Sequence, residues 1–293
     1  MVKHFQKTTR LQHGSCKSNE RNIMISLNAT GAASSASYYL DQNNRNLQKS
    51  LNRLSSGYRI NSAVDDPGGL AVSMKLSAAI RRTDAVSANV GNALSFLQSQ
   101  DGVLEVASEI LLRMSELSTL ASDVVVSTSD TALYDTEFQE LKDNISSLLT
   151  EEFNGVLLFD SGATLSVVTS ENGTQTTGIT KADLDAVEAT VVAIVGITTT
   201  VLATAASSTL DTAIQDVAEL RAQNGAEQSR LTFAQDILAV NRVNLEAANG
   251  RIMDVDIAEE STNFARLSII QEAGLAILAQ ANTSAESLIR LLE

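Results

Sequence analysis

The sequence has no tryptophan and only one proline and one cysteine among its 293 residues. Aromatic residues amount to 4% of the chain, whereas 44% of the residues are hydrophobic, so leucine, isoleucine, valine and alanine must supply the core. This composition favours long helices and disfavours a β-sandwich or barrel. The single cysteine also excludes an intrachain disulfide.

Positive charge is scarce as well. Lysine and arginine number 21 against 35 aspartates and glutamates, which gives a formal charge of −14 at pH 7. Such a chain repels phosphate backbones and anionic lipid headgroups. We therefore expect no nucleic-acid partner.

Histidine and cysteine occur only within residues 1–23. That segment holds His4, His13, Cys16, and five lysines or arginines against one glutamate. It lacks the apolar run that a secretory signal needs. The composition changes at Met24, so the segment is either an upstream start or tag, or a genuine basic and disordered leader. Beyond it, Ser-His-Asp, Cys-His and histidine-ligated metal sites are excluded, and we expect no catalytic residue, cofactor or metal.

A heptad pattern runs through the carboxyl-terminal third. Apolar positions keep a 3,4 spacing from Leu210 to Val255, interrupted by the polar residues Asn224, Glu227 and Asn241, which could fix the register. A helix of that length spans about 69 Å, more than the roughly 50 Å diameter of a compact globule of this size. The sequence therefore predicts a mainly α fold: an elongated rod of long coiled-coil helices.

Further stripes lie on either side of this helix. One runs Leu40, Asn44, Leu47, Leu51, Leu54, Tyr58, and another runs Leu267, Ile270, Gly274, Ile277, Ala281, Ser284, Leu288, Leu291. The second stripe is widened by neighbouring isoleucines and leucines, so it needs more than one partner. Turn residues at 55–57 and 65–69 predict breaks, and stripes within 90–121 and 134–148 predict two more helices.

The middle of the chain differs in character. Residues 153–180 are rich in β-branched residues and contain Asn154-Gly155 and Asn172-Gly173, which predicts one or two short β-hairpins. Residues 189–210 carry no charge. A membrane span is possible there, but eight serines and threonines favour a buried helix or strand beside the hairpins.

Two acidic groups admit a chemical interpretation beside a structural one. Asp254, Asp256, Glu259 and Glu260 could hold a hard cation, and the pair Asp65-Asp66 could act as a carboxylate dyad. Helix starts and turns are the favoured interpretation of both, because aspartate prefers such positions without any chemistry.

Two long segments resemble a known family. Residues 47–71, LQKSLNRLSSGYRINSAVDDPGGLA, resemble the amino-terminal signature of bacterial flagellins, and residues 248–260, ANGRIMDVDIAEE, resemble the carboxyl-terminal one. The resemblance covers about 24–160 and 210–293. It implies a secreted, extracellular subunit of the flagellar filament that is exported unfolded and polymerises with itself for swimming motility. It also implies contact with the export apparatus, an export chaperone, the filament cap and hook-associated proteins.

The resemblance further implies an order of segments and a set of assembly residues. The segments are a leader (1–23), an amino-terminal inner-layer coiled coil (24–62), amino-terminal rod helices (63–160), a short variable middle (161–209), a carboxyl-terminal rod helix (210–258) and a carboxyl-terminal inner-layer helix (259–293). The inner coiled coil would polymerise through Leu40, Leu47, Leu51, Leu54, Leu267, Ile270, Ile277, Leu288 and Leu291. If the leader is an upstream start, protein from native filaments lacks residues 1–23.

A contact with an innate immune receptor is also implied. Residues 111–117, LLRMSEL, resemble the flagellin motif that Toll-like receptors recognise, with Glu137 as the acidic partner position. Arg113 and Leu117 are four residues apart, so both should lie on one side of a helix and present a charged and an apolar contact. Leu112 and Ser115 depart from the commoner pattern, which predicts weakened recognition.

Other functions remain as alternatives. A hook–filament junction protein shares the terminal architecture of the filament subunit. A membrane-inserting amphipathic helical secretion protein would use the same apolar stripes for a different purpose. An enzyme is the weakest alternative because no histidine or cysteine lies beyond the leader.

Overall fold

The computed structural model describes residues 16–160 and 163–290, with side chains for 33–160 and 163–284. His4 and His13 lie outside these ranges. The described residues form six helices and two antiparallel two-stranded sheets, which confirms a mainly α fold. In chain order the elements are α1 (Cys16–Ser56), α2 (Pro67–Ala121), α3 (Thr128–Leu148), β1 (Glu152–Phe153), β2 (Val156–Leu157), β3 (Thr164–Val168), β4 (Thr176–Thr180), α4 (Leu184–Val192), α5 (Thr200–Met253) and α6 (Ile257–Arg290).

Local capping explains where the helices begin and end. Helix α1 ends before Gly57, whose φ of 75° lies in the left-handed region that glycine adopts readily. Asp66 Oδ1 accepts a hydrogen bond from Gly69 N at 2.9 Å at the start of α2. Asp256 Oδ1 accepts from Ala258 N at 2.9 Å at the start of α6. These aspartates therefore act as helix caps, in agreement with the favoured interpretation.

The chain divides into two compact units. Unit 1 contains the described residues up to Ser73 and from Asn249 onward. Unit 2 contains residues 74–248, with most of α2 and α5 and all of α3, α4 and the strands.

The core of unit 2 follows the heptads. Val90, Leu97, Leu104 and Leu111 of α2 are all fully buried. On α5 the predicted positions are buried from Leu210 to Leu238 at Leu210, Ala213, Val217, Asn224, Glu227, Leu231 and Leu238. Burial at this spacing on both helices is what a coiled-coil seam requires.

Two of the three polar interruptions on α5 are buried and hydrogen-bonded. Asn224 Nδ2 donates to Leu97 O at 3.1 Å and to Gln100 Oε1 at 2.8 Å, both on α2. Glu227 Oε2 accepts from Thr180 N of β4 at 2.8 Å. The prediction that Asn241 is a polar position within the buried stripe was wrong. Asn241 is exposed, and none of the α5 residues from 239 to 250 is fully buried.

The middle of the chain contains both predicted hairpins. Strands β1 and β2 pair across Asn154-Gly155, whose φ angles of 51° and 76° suit a tight two-residue turn. Strands β3 and β4 pair over five residues each, from Thr164↔Thr180 to Val168↔Thr176. Gly173, with φ of 73°, lies in the loop between them.

The uncharged segment 189–210 is not one element, which corrects the expectation of a single helix or strand. It contains the end of α4, a loop, and the first turns of α5. Ile194, Ile197 and Ala203 are buried there against the unit 2 core. Among the described residues, no helix is long and apolar enough to cross a membrane.

Candidate functional site

The candidate assembly site lies in unit 1, where α1 and α6 pack side by side in opposite directions. Asn43 Nδ2 of α1 donates to Leu267 O of α6 at 2.9 Å. Further along, Ser50 Oγ donates to Glu260 Oε1 at 2.5 Å. Because the partner number falls as the α1 number rises, the two helices form an antiparallel pair.

The α6 side of this pair has the spacing of a coiled coil. A row of buried and half-buried positions recurs at intervals of four and three, with Asn263 and Ser268 half-buried beside it: Glu260, Phe264, Leu267, Gln271, Gly274, Leu278, Ala281. A Cβ atom on Gly274 would lie 2.8 Å from Leu40 Cδ1, so glycine permits a close approach of the helices there.

The α1 side differs from the predicted stripe. The buried residues are Asn43 and Ser50 rather than Asn44 and Leu51, which are exposed. The physical reason is the pairing with α6, since Asn43 and Ser50 find hydrogen-bond partners on that helix. Leu51 is thus turned away from α6 within one chain.

The predicted assembly residues fall into two groups. Leu40, Leu47 and Leu54 are half-buried and Leu267 is buried, all at the helix pair. Leu51, Ile270 and Ile277 are 49%, 44% and 60% exposed. The side chain of Leu288 and the whole of Leu291 lie outside the described residues.

Many large apolar side chains of unit 1 stay exposed although α1 and α6 pack together. They are Tyr38, Tyr39, Leu51, Tyr58, Val64, Val72, Ile257, Ile269, Ile270, Leu275 and Ile277. Beside Gly274, an apolar groove of about 440 Å³ is lined by Tyr39, Leu40, Ile270 and Ile277 among others. So large an unburied apolar surface is typical of a protein that associates.

A polar cluster connects the carboxyl-terminal end of α1 with the first turn of α6. Glu260, itself buried, accepts from Ser50 and lies 3.6 Å from Arg53 Nη1. Sequence reasoning assigned Glu260 to an acidic group and missed Ser50 and Asn43. A polar residue at 3,4 spacing inside an apolar stripe is the signal that could have found them.

The two signature segments meet beside this cluster. Arg59 N donates to Met253 O at 2.6 Å, and Val255 N donates to Gly57 O at 3.0 Å. Lys49 Nζ lies 2.6 Å from Asp65 Oδ1. The hydrogen bond from Lys49, together with backbone donors, lowers the pKa of Asp65 to about 2, so this carboxylate is ionised at neutral pH.

The candidate receptor contact lies on α2 and α3 of unit 2. Arg113 Nε lies 2.8 Å from Glu137 Oε1, and Arg113 Nη1 lies 2.7 Å from Glu116 Oε2. Hydrogen bonds to Glu137 and Glu116 raise the pKa of Arg113 further above its usual value. The structure thus brings Arg113 and Glu137 together on an exposed surface.

Leu117 does not share that surface, which corrects the expected presentation. Its side chain is fully buried in the unit 2 core, whereas Leu112 is 55% exposed. Arg113 and Leu117 do lie on the same side of α2, as their spacing predicts. The face of α2 that contacts the core is broad, however, so that Leu117 lies within this face and Arg113 lies at its edge.

Family models match most of the chain. Residues 27–164 match the bacterial flagellin N-terminal helical region, and residues 208–292 match the bacterial flagellin C-terminal helical region. A flagellin of Halalkalibacterium halodurans is 37% identical over 84% of this chain and 91% of its own length. The flagellar filament 33 kDa core protein of Treponema phagedenis is 32% identical over 91% of this chain and 99% of its own length.

A solved structure shares the fold. A proposed flagellar hook-associated protein from Vibrio parahaemolyticus aligns with a TM-score of 0.58 at 17% identity, covering 65% of this chain and all of that one.

Proposed function

This chain belongs to the bacterial flagellin family, and from that premise we propose how it enters a flagellar filament. The family is one of structural proteins, and relatives that match most of the chain are flagellins and flagellar filament core proteins. The chain is accordingly a structural subunit of the bacterial flagellar filament that polymerises with itself. We propose that it has a structural role and no catalytic one.

Assembly runs through α1 and α6. The observation that carries this is the apolar surface that these helices leave exposed, with Ile270 at 44%, Ile277 at 60% and Ile269 at 67%. Full burial of a fully exposed isoleucine contributes about 1.5–3 kcal/mol, so each of these half-exposed side chains can still gain about 1–2 kcal/mol. Neighbouring subunits supply that burial, so the helix pair gains its stability in the filament and is marginal in the free subunit.

Deleting residues 264–293 tests this mechanism. The deletion should leave the helicity of residues 90–150 and 210–248 largely unchanged in the monomer, because these residues build unit 2. It should abolish the elongation of filament seeds. Elongation by the truncated protein would show that α6 is not needed for assembly. Slow amide exchange across 264–284 in the free monomer would show that the helix pair is already stable before assembly, which would also contradict the mechanism.

A point substitution makes the test sharper. Ile277→Asp places a charge where a neighbouring subunit must cover an exposed apolar side chain, at a cost of several kcal/mol per subunit. Asn282→Asp adds the same charge to another exposed position of α6 and serves as the matched control. Ile277→Asp should prevent elongation and Asn282→Asp should allow it; equal elongation by both would contradict the proposal.

The route into the filament is part of the proposal. The chain leaves the cell unfolded through the export apparatus, accompanied by an export chaperone, and is added beneath the filament cap beyond the hook-associated proteins. One cysteine suits such a chain, because no disulfide can form within it before or during export. The filament is placed outside the cell.

A contact with Toll-like receptors is proposed at Arg113 and Glu137. Their mutual ion pair and that of Arg113 with Glu116 must be loosened before the receptor can bind, and Leu117 is buried. We therefore expect weak recognition. A receptor reporter assay should show lower potency than a flagellin with glutamine and arginine at positions 112 and 115, and a further drop for Arg113→Ala.

The alternatives are not favoured. The relatives named as flagellins and filament core proteins match along most of their own length, whereas the hook-associated structure shares the fold alone. A membrane-inserting protein is not favoured either, since no helix among the described residues is long and apolar enough to span a membrane.

A further inference from the structure

The sequence contains four Asn-Gly dipeptides, and the structure describes all of them. Such a dipeptide can rearrange without an enzyme, because glycine has no Cβ atom to shield its main-chain nitrogen from the asparagine side chain. Asn224-Gly225 and Asn249-Gly250 lie within α5, where the helix fixes the main chain. Asn154-Gly155 and Asn172-Gly173 lie in the loops of the two hairpins and are exposed.

The two exposed dipeptides differ most in the surroundings of the asparagine side chain. The glycines of both have positive φ angles, 76° in the first loop and 73° in the second. Within the described residues, no hydrogen bond reaches the side chain of Asn154. Asn172 Oδ1, by contrast, accepts three hydrogen bonds: from Ser170 Oγ at 2.9 Å, from Thr174 N at 3.2 Å and from Thr174 Oγ1 at 2.7 Å.

These contacts place donors at the atom where negative charge develops when a main-chain nitrogen attacks Cγ of Asn172. Donors that are already in position stabilise the charge on Oδ1, as an oxyanion hole does. The hydroxyl of Ser170 is itself oriented, because its Oγ accepts from Gln175 N at 2.9 Å and its proton remains for Asn172. Asn172 Nδ2, the leaving group, makes no hydrogen bond within the part of the chain that the structure describes.

We propose that Asn172 deamidates spontaneously in the folded chain through a cyclic imide with Gly173, and that the hydroxyls of Ser170 and Thr174 promote this step. Gly173 N attacks Cγ of Asn172, the Cγ–Nδ2 bond breaks, and ammonia leaves with the proton that Gly173 N gives up. Water then opens the imide at either carbonyl, which yields aspartate or isoaspartate. The overall exchange consumes a water molecule and releases an ammonia molecule.

One contact opposes the attack. Gly173 N donates to Ser170 O at 3.1 Å, and this hydrogen bond must open before the nitrogen can reach Cγ of Asn172. Both Asn172 and Gly173 are exposed, so water can replace the lost partner at little cost.

The products change the charge and the length of the β3–β4 loop. Each adds a carboxylate to unit 2, which already carries 24 aspartates and glutamates against 9 lysines and arginines, a net charge of −15. The new carboxylate follows Glu171, which pairs with Arg82 of α2 at 2.6 Å. Isoaspartate also lengthens the main chain by a methylene group. Deamidation therefore alters the contact that holds the hairpin tip on α2.

The test follows both loop asparagines in one sample of the purified full chain, incubated as a monomer at neutral pH. Peptide mass spectrometry measures conversion at each, and isoaspartyl methyltransferase labels the isoaspartate product. In the folded chain Asn172 should convert about tenfold faster than Asn154, which is less than one oxyanion-hole donor contributes in an enclosed active site. In urea the donors are lost, so the two rates should become nearly equal.

Thr174→Val removes a hydroxyl donor, keeps the branched side chain, and should slow conversion at Asn172 several-fold. Thr176→Val is the matched control, because Thr176 is exposed in β4 of the same hairpin and donates nothing to Asn172; it should leave the rate unchanged. Equal rates at Asn172 and Asn154 in the folded chain, or faster conversion after Thr174→Val, would overturn the inference, since the hydrogen bonds would then protect Asn172. No filament is needed, so the result is independent of the proposed function.

Discussion

Glu260 offers the sharpest test of how the terminal helices hold together. Its carboxylate accepts from Ser50 Oγ at 2.5 Å and lies 3.6 Å from Arg53 Nη1, and the residue is only 8% exposed. Glu260→Ala removes both interactions at once, together with a long hydrogen bond of 3.4 Å from Asn263 Nδ2. Ser50 Oγ then loses its acceptor on α6, and Arg53 loses its ion-pair partner.

The size of the effect follows from these contacts. An unsatisfied buried hydroxyl costs about 1–3 kcal/mol. The side chain of Arg53 is 25% exposed and keeps some contact with water, so its loss belongs at the low end of the 3–5 kcal/mol range for a broken buried pair. Allowing for overlap between the two, we expect about 3–4 kcal/mol.

The assay is the critical concentration of seeded elongation, because the helix pair is proposed to gain its stability in the filament. A loss of 3–4 kcal/mol corresponds to a rise of roughly 100- to 1,000-fold. Glu259→Ala is the control, because Glu259 lies in the same first turn of α6 but is exposed. This variant should lose only the favourable interaction of a carboxylate with the helix amino terminus, about 0.5 kcal/mol.

Two results would refute this reasoning. Equal critical concentrations for Glu260→Ala and Glu259→Ala would mean that the buried cluster contributes nothing to assembly. A Ser50→Ala variant that behaves like the wild type, combined with a full effect of Glu260→Ala, would assign the whole effect to Arg53 and contradict a shared contribution from Ser50 and Arg53.

Three further outcomes are expected. The folded state lowers the pKa of Asp65 to about 2 from 3.8, so the pairing of this carboxylate stabilises the folded state above pH 4 and the contribution is lost as the pH falls towards 2. Wild type should therefore be more stable than Asp65→Asn by about 1–2 kcal/mol at pH 7, after allowance for the half-exposed Lys49. In acid titrations of filaments this difference in stability should disappear between pH 4 and pH 2, and a difference that stays constant would contradict the role of Asp65. Phe138→Ala empties a fully buried position of unit 2 and should cost about 3–5 kcal/mol in urea unfolding of the monomer, while the exposed Leu133→Ala should cost less than about 0.5 kcal/mol; similar losses would show that Phe138 is not a core residue. Because unit 2 carries −15, raising the salt concentration should lower the critical concentration, and a rise would argue against repulsion between subunits.

The amino-acid sequence by itself determined the helices, the hairpins and the family. The spacing of apolar residues at every third and fourth position is a local property of the chain, so the positions from Leu210 to Leu238 could be predicted to form a buried face without knowledge of its partner. The turn at Asn154-Gly155 was equally readable, because its positive φ angles depend on those two residues.

Only the tertiary structure decided which of two adjacent residues faces a partner helix. A 3,4 pattern on α1 can begin at Leu40 in two phases, one through Asn44 and Leu51 and the other through Asn43 and Ser50. The second is realised because Leu267 O and Glu260 supply acceptors for the two polar side chains. The burial of Leu117 and the exposure of Phe233 and Ile237 on α5 could likewise not be predicted from the sequence. A helix can have several apolar faces, and only its packed neighbours determine which of them water reaches.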